Sequence, residues 1–127
     1  MGLTEGRTKG LEILLERGRL AYQAGRWIDA VAHWEKAWRD EDGAPRQLLQ
    51  GLMQAAGAYQ KRDAGERLGM MKLLSLAIER LEPLPNYFGG VALDTFRKGL
   101  ERSWNEGLRW ATGGPAPGPA ASLLRRS

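Results

Sequence analysis

The chain has 127 residues, 19 of them basic and 15 acidic, for a formal net charge of +4, and it contains no cysteine. That length suggests a single domain able to bury a core without disulfides or metal, and the missing cysteine excludes thiolate catalysis, disulfides and cysteine metal sites. No apolar run approaches the roughly 20 residues of a membrane span, and the opening MGLTEGRTKG lacks the apolar centre of a signal peptide, so the expected location is the cytoplasm.

Residues 1–7 are polar and Gly-rich and are expected to form a flexible arm ahead of one helical domain over residues 8–111. The first helix is predicted from Lys9 to Gln23, with Leu11, Leu14, Leu15, Gly18 and Tyr22 as its inner stripe. Ala24-Gly25 breaks it, and Gly25 suits a left-handed C-terminal position. The second helix, Arg26 to Glu41, carries three of the five tryptophans and the only histidine. Its Trp27, Ala30, Val31, Trp34, Ala37 and Trp38 recur at steps of three and four, a face too apolar to leave in water. Pro45 opens the third helix, which extends to Arg62. Leu48, Leu49, Leu52, Met53, Ala55, Ala56 and Tyr59 give it a wide apolar arc, and Gly51 and Gly57 imply that another group comes close.

Asp63-Ala64-Gly65 is a tight break. A fourth helix follows from Glu66 to Glu82, its core face Met70, Met71, Leu74, Ala77, Ile78 and Leu81, ended by Pro83 and Pro85. Asn86–Val91 is a Gly-rich aromatic loop with no strand alternation. Asp94 is the predicted N-cap of a fifth helix reaching Ala111, lined inside by Leu93, Phe96, Leu100, Trp104 and Leu108. From Thr112 the run TGGPAPGPAASLLRRS is too rich in proline and glycine for a packed element, and residues 112–127 are expected to be a disordered tail. The fold class is all-α: an up-and-down antiparallel bundle of about five helices.

Two resemblances follow from these residues. Gly18, Gly25, Ala30, Trp34 and Ala37 fall on offsets similar to those of a tetratricopeptide helix hairpin. A second hairpin overlays the first at a shift of 40, Gly65 on Gly25, Leu74 on Trp34, Ala77 on Ala37 and Pro85 on Pro45. The shift is not the 34 of the true repeat, so it implies shared hairpin packing and not a solenoid. The more specific resemblance spans about Leu11 to Phe96. Gly25 through Trp38, then Gln50-Gly51-Leu52-Met53-Gln54 and its Ala-rich continuation to Lys61, resemble the small all-helical bacterial and archaeal proteins called domain of unknown function 309. That resemblance implies a helical bundle. It also implies a divergent member, because the family's histidine and following glutamate fall at Val31 and Ala32 here, and its earlier glutamate at Asp29. His33 is no substitute, since two positions turn it about 200° round the helix.

No Walker loop, nucleophile elbow or metal-ligand spacing is present, so no catalytic residue, cofactor or metal is expected. The candidate ligand-binding residues are Trp38, Gln50, Gln54 and Tyr59, as a polar pocket between the second and third helices, with Asp29, Glu35 and Arg39 nearby. Gln50 and Gln54 lie one turn apart and need partners if buried, either an interhelical clamp or a ligand. The first functional reading is a non-catalytic protein that binds a protein partner or a second copy, with an exposed apolar patch around Trp110 and Tyr87. The alternative is a small-ligand binder or weak enzyme using that pocket. Last comes nucleic-acid binding through Arg97, Lys98, Arg102, Arg109 and the Arg125-Arg126 end.

Overall fold

The computed structural model describes residues 2–120, with side chains from residue 10 onward. The described residues form an all-α bundle of α1 (Gly2–Gln23), α2 (Trp27–Arg39), α3 (Gly43–Asp63), α4 (Arg67–Leu81) and α5 (Leu93–Trp110), with a short hairpin, β1 (Tyr87–Phe88) and β2 (Val91–Ala92), before α5. Each helix packs on the next in the chain, which is the up-and-down order. Backbone helix begins at Gly2, so α1 extends through residues 2–7, where a flexible arm was expected.

The α1–α2 and α3–α4 reversals are built by one device used twice. Gly25 and Gly65 hold φ of 74° and 76°, the left-handed region that costs other residues about 1–2 kcal/mol. Each glycine N–H donates to the carbonyl three residues back, Gly25 to Tyr22 at 3.0 Å and Gly65 to Arg62 at 2.9 Å. The next N–H reaches five back, Arg26 to Ala21 and Glu66 to Lys61, both at 2.9 Å. This double bond pattern is the Schellman closure of a helix C-terminus. The overlay of Gly65 on Gly25 therefore describes real duplicated hairpin geometry.

The core is centred on aromatic rings. Trp34 is fully buried, and its indole N–H donates to Leu15 O at 3.3 Å. It seats against the bare backbone of Gly18, where an added Cβ would stand 2.1 Å from Nε1. Gly51 likewise admits the side chain of Leu81, the last residue of α4, whereas Gly57 has ordinary clearance from Leu73. Tyr22 touches the rings of Trp27, Trp34, Tyr59 and Phe96, with centroids 5.0–6.2 Å away. It thereby joins α1 to α2, α3 and α5.

Three expectations are corrected. Asn86–Val91 is not an open loop: Tyr87 pairs with Ala92 and Phe88 with Val91, closed by Gly89-Gly90 with φ of 60° and 79°. Two positive φ values in a two-residue connection match the strand twist, which is why a glycine pair makes this turn. Asp94 is not the N-cap of α5. It lies inside the first turn, and Asn86 O accepts from Leu93 N at 2.7 Å and Asp94 N at 3.3 Å instead. Finally, residues 112–120 are not a free tail. Pro117 and Ala120 are buried, and the segment lies along the bundle as a strap, while residues 121–127 fall outside the described residues.

Gly18→Ala is expected to cost about 1–3 kcal/mol in urea unfolding, because the rigid indole must leave its rotamer to clear a methyl group.

Candidate functional site

The sequence-predicted site residues do not converge. Asp29 and Glu35 form exposed ion pairs along α2, Asp29 with Arg26 at 3.8 Å and Glu35 with Arg39 at 2.7 Å. Such pairs contribute little. Trp38 is half-buried with the Arg46 guanidinium stacked 3.6 Å from its ring centroid. Arg46 and Gln54 are eight residues apart on α3, about 12 Å along the axis, so Trp38 and Gln54 do not face each other. Gln50 and Gln54 are half-buried on the side of α3 that meets α4, as Gly51 with Leu81 and Gly57 with Leu73 show. The interhelical clamp is made by Gln47, whose amide donates to Arg80 O at 2.8 Å. Tyr59 points about 140° round the helix from Gln54 and lies in the aromatic core. Two buried polar atoms of the predicted set, Trp38 Nε1 and Gln54 Oε1, find no hydrogen-bond partner among the described residues. At the positions where the resemblance places a histidine and glutamate, Val31 packs on the core edge and Ala32 is exposed.

The site that does converge is a groove between α1, α3 and α5, and residues 117–120 occupy it. Four successive strap carbonyls each accept from a side chain. Arg62 Nη1 donates to Pro117 O at 3.0 Å, Ser103 Oγ to Gly118 O at 2.8 Å, Arg102 Nη2 to Pro119 O at 3.1 Å and Tyr22 Oη to Ala120 O at 2.7 Å. The strap has two N–H groups here, since Pro117 and Pro119 bring none, and both are accepted. Gly118 N donates to Glu106 Oε1 at 3.3 Å and Ala120 N to Tyr59 Oη at 2.9 Å. Tyr59 Oη and Ser103 Oγ are 2.9 Å apart. The Ser103 proton is spent on Gly118 O, so Tyr59 is the donor between them. A directed chain therefore runs Ala120 N–H to Tyr59 O–H to Ser103 O–H to Gly118 O, and it satisfies every polar atom it meets.

The groove is pre-organised from beneath. Asp63 accepts Trp27 Nε1 at 2.7 Å through Oδ2, and Arg62 Nε and Nη2 at 2.9 and 2.6 Å through Oδ1. Burial pushes the Asp63 carboxyl up, but the hydrogen bonds from Arg62 and Trp27 more than offset it and hold it below the usual range. Arg102 is aimed by Glu106 at 3.0 Å. Burial raises both tyrosine hydroxyls. For Tyr22 the neighbouring Tyr59 adds to the effect, and for Tyr59 the hydrogen bonds with Ser103 and Ala120 only reduce it. Both phenols stay protonated, which is the form that donates to the strap and to Ser103.

Sequence reasoning missed Tyr22, Arg62, Ser103 and Glu106 as partners of a bound segment. One signal was available: Ser103 interrupts the apolar stripe of Phe96, Leu100 and Gly107 at helical spacing, and a hydroxyl there needs a partner. The basic residues of α5 divide. Arg97 donates to Leu81 O and Leu84 O, both at 2.9 Å, closing the end of α4. Lys98, Arg102 and Arg109 line one shallow surface together with Glu101, and Arg125-Arg126 lie outside the described residues. Tyr87 is exposed and Trp110 packs on the core. The 18 residues of α5, about 27 Å, separate them, so they form no shared patch.

Residues 15–73 match the family model described as Domain of unknown function (DUF309). The match covers the two helix hairpins, from mid-α1 to mid-α4. It includes Tyr22, Tyr59 and Arg62 of the groove but not α5 or the strap. No curated protein matches the chain.

Two outcomes are expected. Gln54→Met should be neutral or stabilise by up to about 1 kcal/mol in denaturant unfolding, since it removes a buried acceptor without a partner. A loss above about 1 kcal/mol would instead mark Gln54 as a clamp. In alkali, an unfolded tyrosine ionises near pH 10 while these two resist. Their contribution is full below about pH 10 and is lost as pH rises through the raised folded values. Unfolding titrations of wild type and of Tyr22→Phe/Tyr59→Phe should therefore diverge below about pH 10 and approach each other above it.

Proposed function

We propose that this protein works by binding and not by catalysis, and that its recognition surface is the groove between α1, α3 and α5. One observation carries the reading: side chains take all four carbonyls and both N–H groups of residues 117–120. Capturing a main chain this completely is how peptide-binding modules secure affinity. The groups involved suit binding. The two phenols are held protonated, and the arginines are anchored by Asp63 and Glu106. A general base for chemistry needs to stand within reach of a substrate proton with a pKa near working pH, and the raised phenols are poor candidates.

A protease site placed between Gly113 and Gly114 tests this reading. After cleavage, a labelled peptide of residues 114–122 is expected to exchange into the groove, saturably, by fluorescence anisotropy. Tyr59→Phe leaves Ala120 N–H without an acceptor and should weaken that binding about fivefold to a hundredfold. Loss of the strap from the cut chain with no rebinding of the peptide would remove the groove as a recognition surface.

A further inference from the structure

Resting on the reading of the groove as a recognition surface, we infer that the strap is a built-in competitor. The partner is a protein segment of the form Pro-small-Pro-small, in extended polyproline conformation, which takes the groove in the strap's place.

The chemistry of the partner can be read position by position from the strap it displaces. Pro117 is buried and Pro119 half-buried. An ordinary residue at either position would bring an N–H into a surface whose two acceptors, Glu106 and Tyr59, are already engaged by the alternate residues. Proline removes that donor and locks the backbone in the φ range of an extended polyproline chain, so the segment loses little entropy on docking. At Gly118 an added Cβ would meet only Arg102 Nη1, at 3.8 Å, so alanine fits there as well as glycine. Ala120 is fully buried with its methyl group against the backbone of Gly99. A Cβ on Gly99 would lie 2.8 Å from that methyl, and the three heavy atoms nearest to it all belong to Ala120. The fourth position is therefore a notch sized for one methyl group, and the strap is what a side chain on Gly99 would meet first. The consensus that fits is Pro-Gly/Ala-Pro-Ala.

The attachment of the strap suits exchange. It leaves α5 through Thr112 and Gly113, both exposed, and Gly113 holds φ of 97°. The six hydrogen bonds that hold residues 117–120 all go to side chains of the bundle, and none belongs to a helix or strand ladder. Two of those contacts, from Arg102 to Pro119 and from Gly118 to Glu106, are exposed and open to an incoming chain. A tethered occupant acts at a high effective concentration, so it admits only ligands of matching pattern and suppresses weak ones.

The test uses the full chain and a foreign peptide, acetyl-Ser-Pro-Ala-Pro-Ala-Ser-amide, with a control in which alanine replaces both prolines. Hydrogen exchange at the Gly118 and Ala120 amides is expected to rise at least tenfold with the first peptide and to stay unchanged with the control. A second arm uses Ala120→Trp, whose strap cannot enter the notch while all five helices keep their residues. This variant should bind the labelled foreign peptide at least tenfold more tightly than wild type, and adding Gly99→Val should abolish binding by filling the notch. Exchange that does not respond to the foreign peptide, equal affinity of wild type and Ala120→Trp, or binding that survives Gly99→Val would each overturn the inference. If Ala120→Trp does not fold, the wild-type exchange decides alone. If the cut chain rebinds its own strap while the foreign peptide fails here, the groove still binds peptide and only the outside partner is excluded. Failure in both experiments removes the groove itself.

Discussion

The ring of Tyr22 is where the bundle closes. It stands on α1, makes edge contacts with Trp27 of α2, Tyr59 of α3 and Phe96 of α5, and ends in a hydroxyl that reaches Ala120 O. Sequential packing brings α1 beside α2 and α5 beside α4. It does not by itself hold the first helix to the last. The aromatic cluster does that with a large apolar area, and edge-on pairs add about 0.5–1.5 kcal/mol each beyond burial. The same cluster leaves two phenol hydroxyls facing one edge of the core. A buried hydroxyl without a partner is costly. The strap is the answer to that cost, since it brings a carbonyl for Tyr22 and an N–H for Tyr59.

Core stability and the seating of the strap therefore share parts in this molecule. Arg62 stacks 5.5 Å from the Tyr59 ring centroid and 5.8 Å from that of Trp27, pairs with Asp63, and still holds Pro117 O. Ser103, the buried polar residue among those described, relays the Tyr59 hydroxyl to Gly118 O. These groups are positioned by rings that cannot move without opening the core. The family match runs through the hairpins that carry Tyr22, Tyr59 and Arg62, while α5 and the strap complete the groove from outside the matched residues.

Helix number, most of the helix faces and the left-handed Gly25 were legible from local pattern, and so was the overlay of the two hairpins, whereas Leu108, expected inside α5, is exposed. Periodicity reports which side of a helix is apolar, and a glycine after a helix reports a left-handed stop. The candidate site was not legible in that way. The polar stripe of α3 holds Gln47, Gln50, Gln54 and Lys61, and the spacing singles out Gln50 and Gln54, yet the clamp is Gln47, because an amide's partner depends on which carbonyl the neighbouring helix turns toward it. Tyr59 was placed with the glutamines although helical phase alone puts it about 140° from Gln54.

From its own residues the chain dictates five amphipathic helices, two sharp reversals and a proline-rich end that can be neither helix nor strand. These follow from side-chain spacing, glycine's freedom and proline's missing donor, all local properties. Only the tertiary structure decided that residues 117–120 lie in a groove, that Gly99 is bare to admit a methyl group, and that Ser103 and Tyr59 form one directed chain. Those facts depend on groups 15 to 98 positions apart meeting within about 3 Å. Such meetings are set by how helices pack against each other, which no single stretch of sequence encodes.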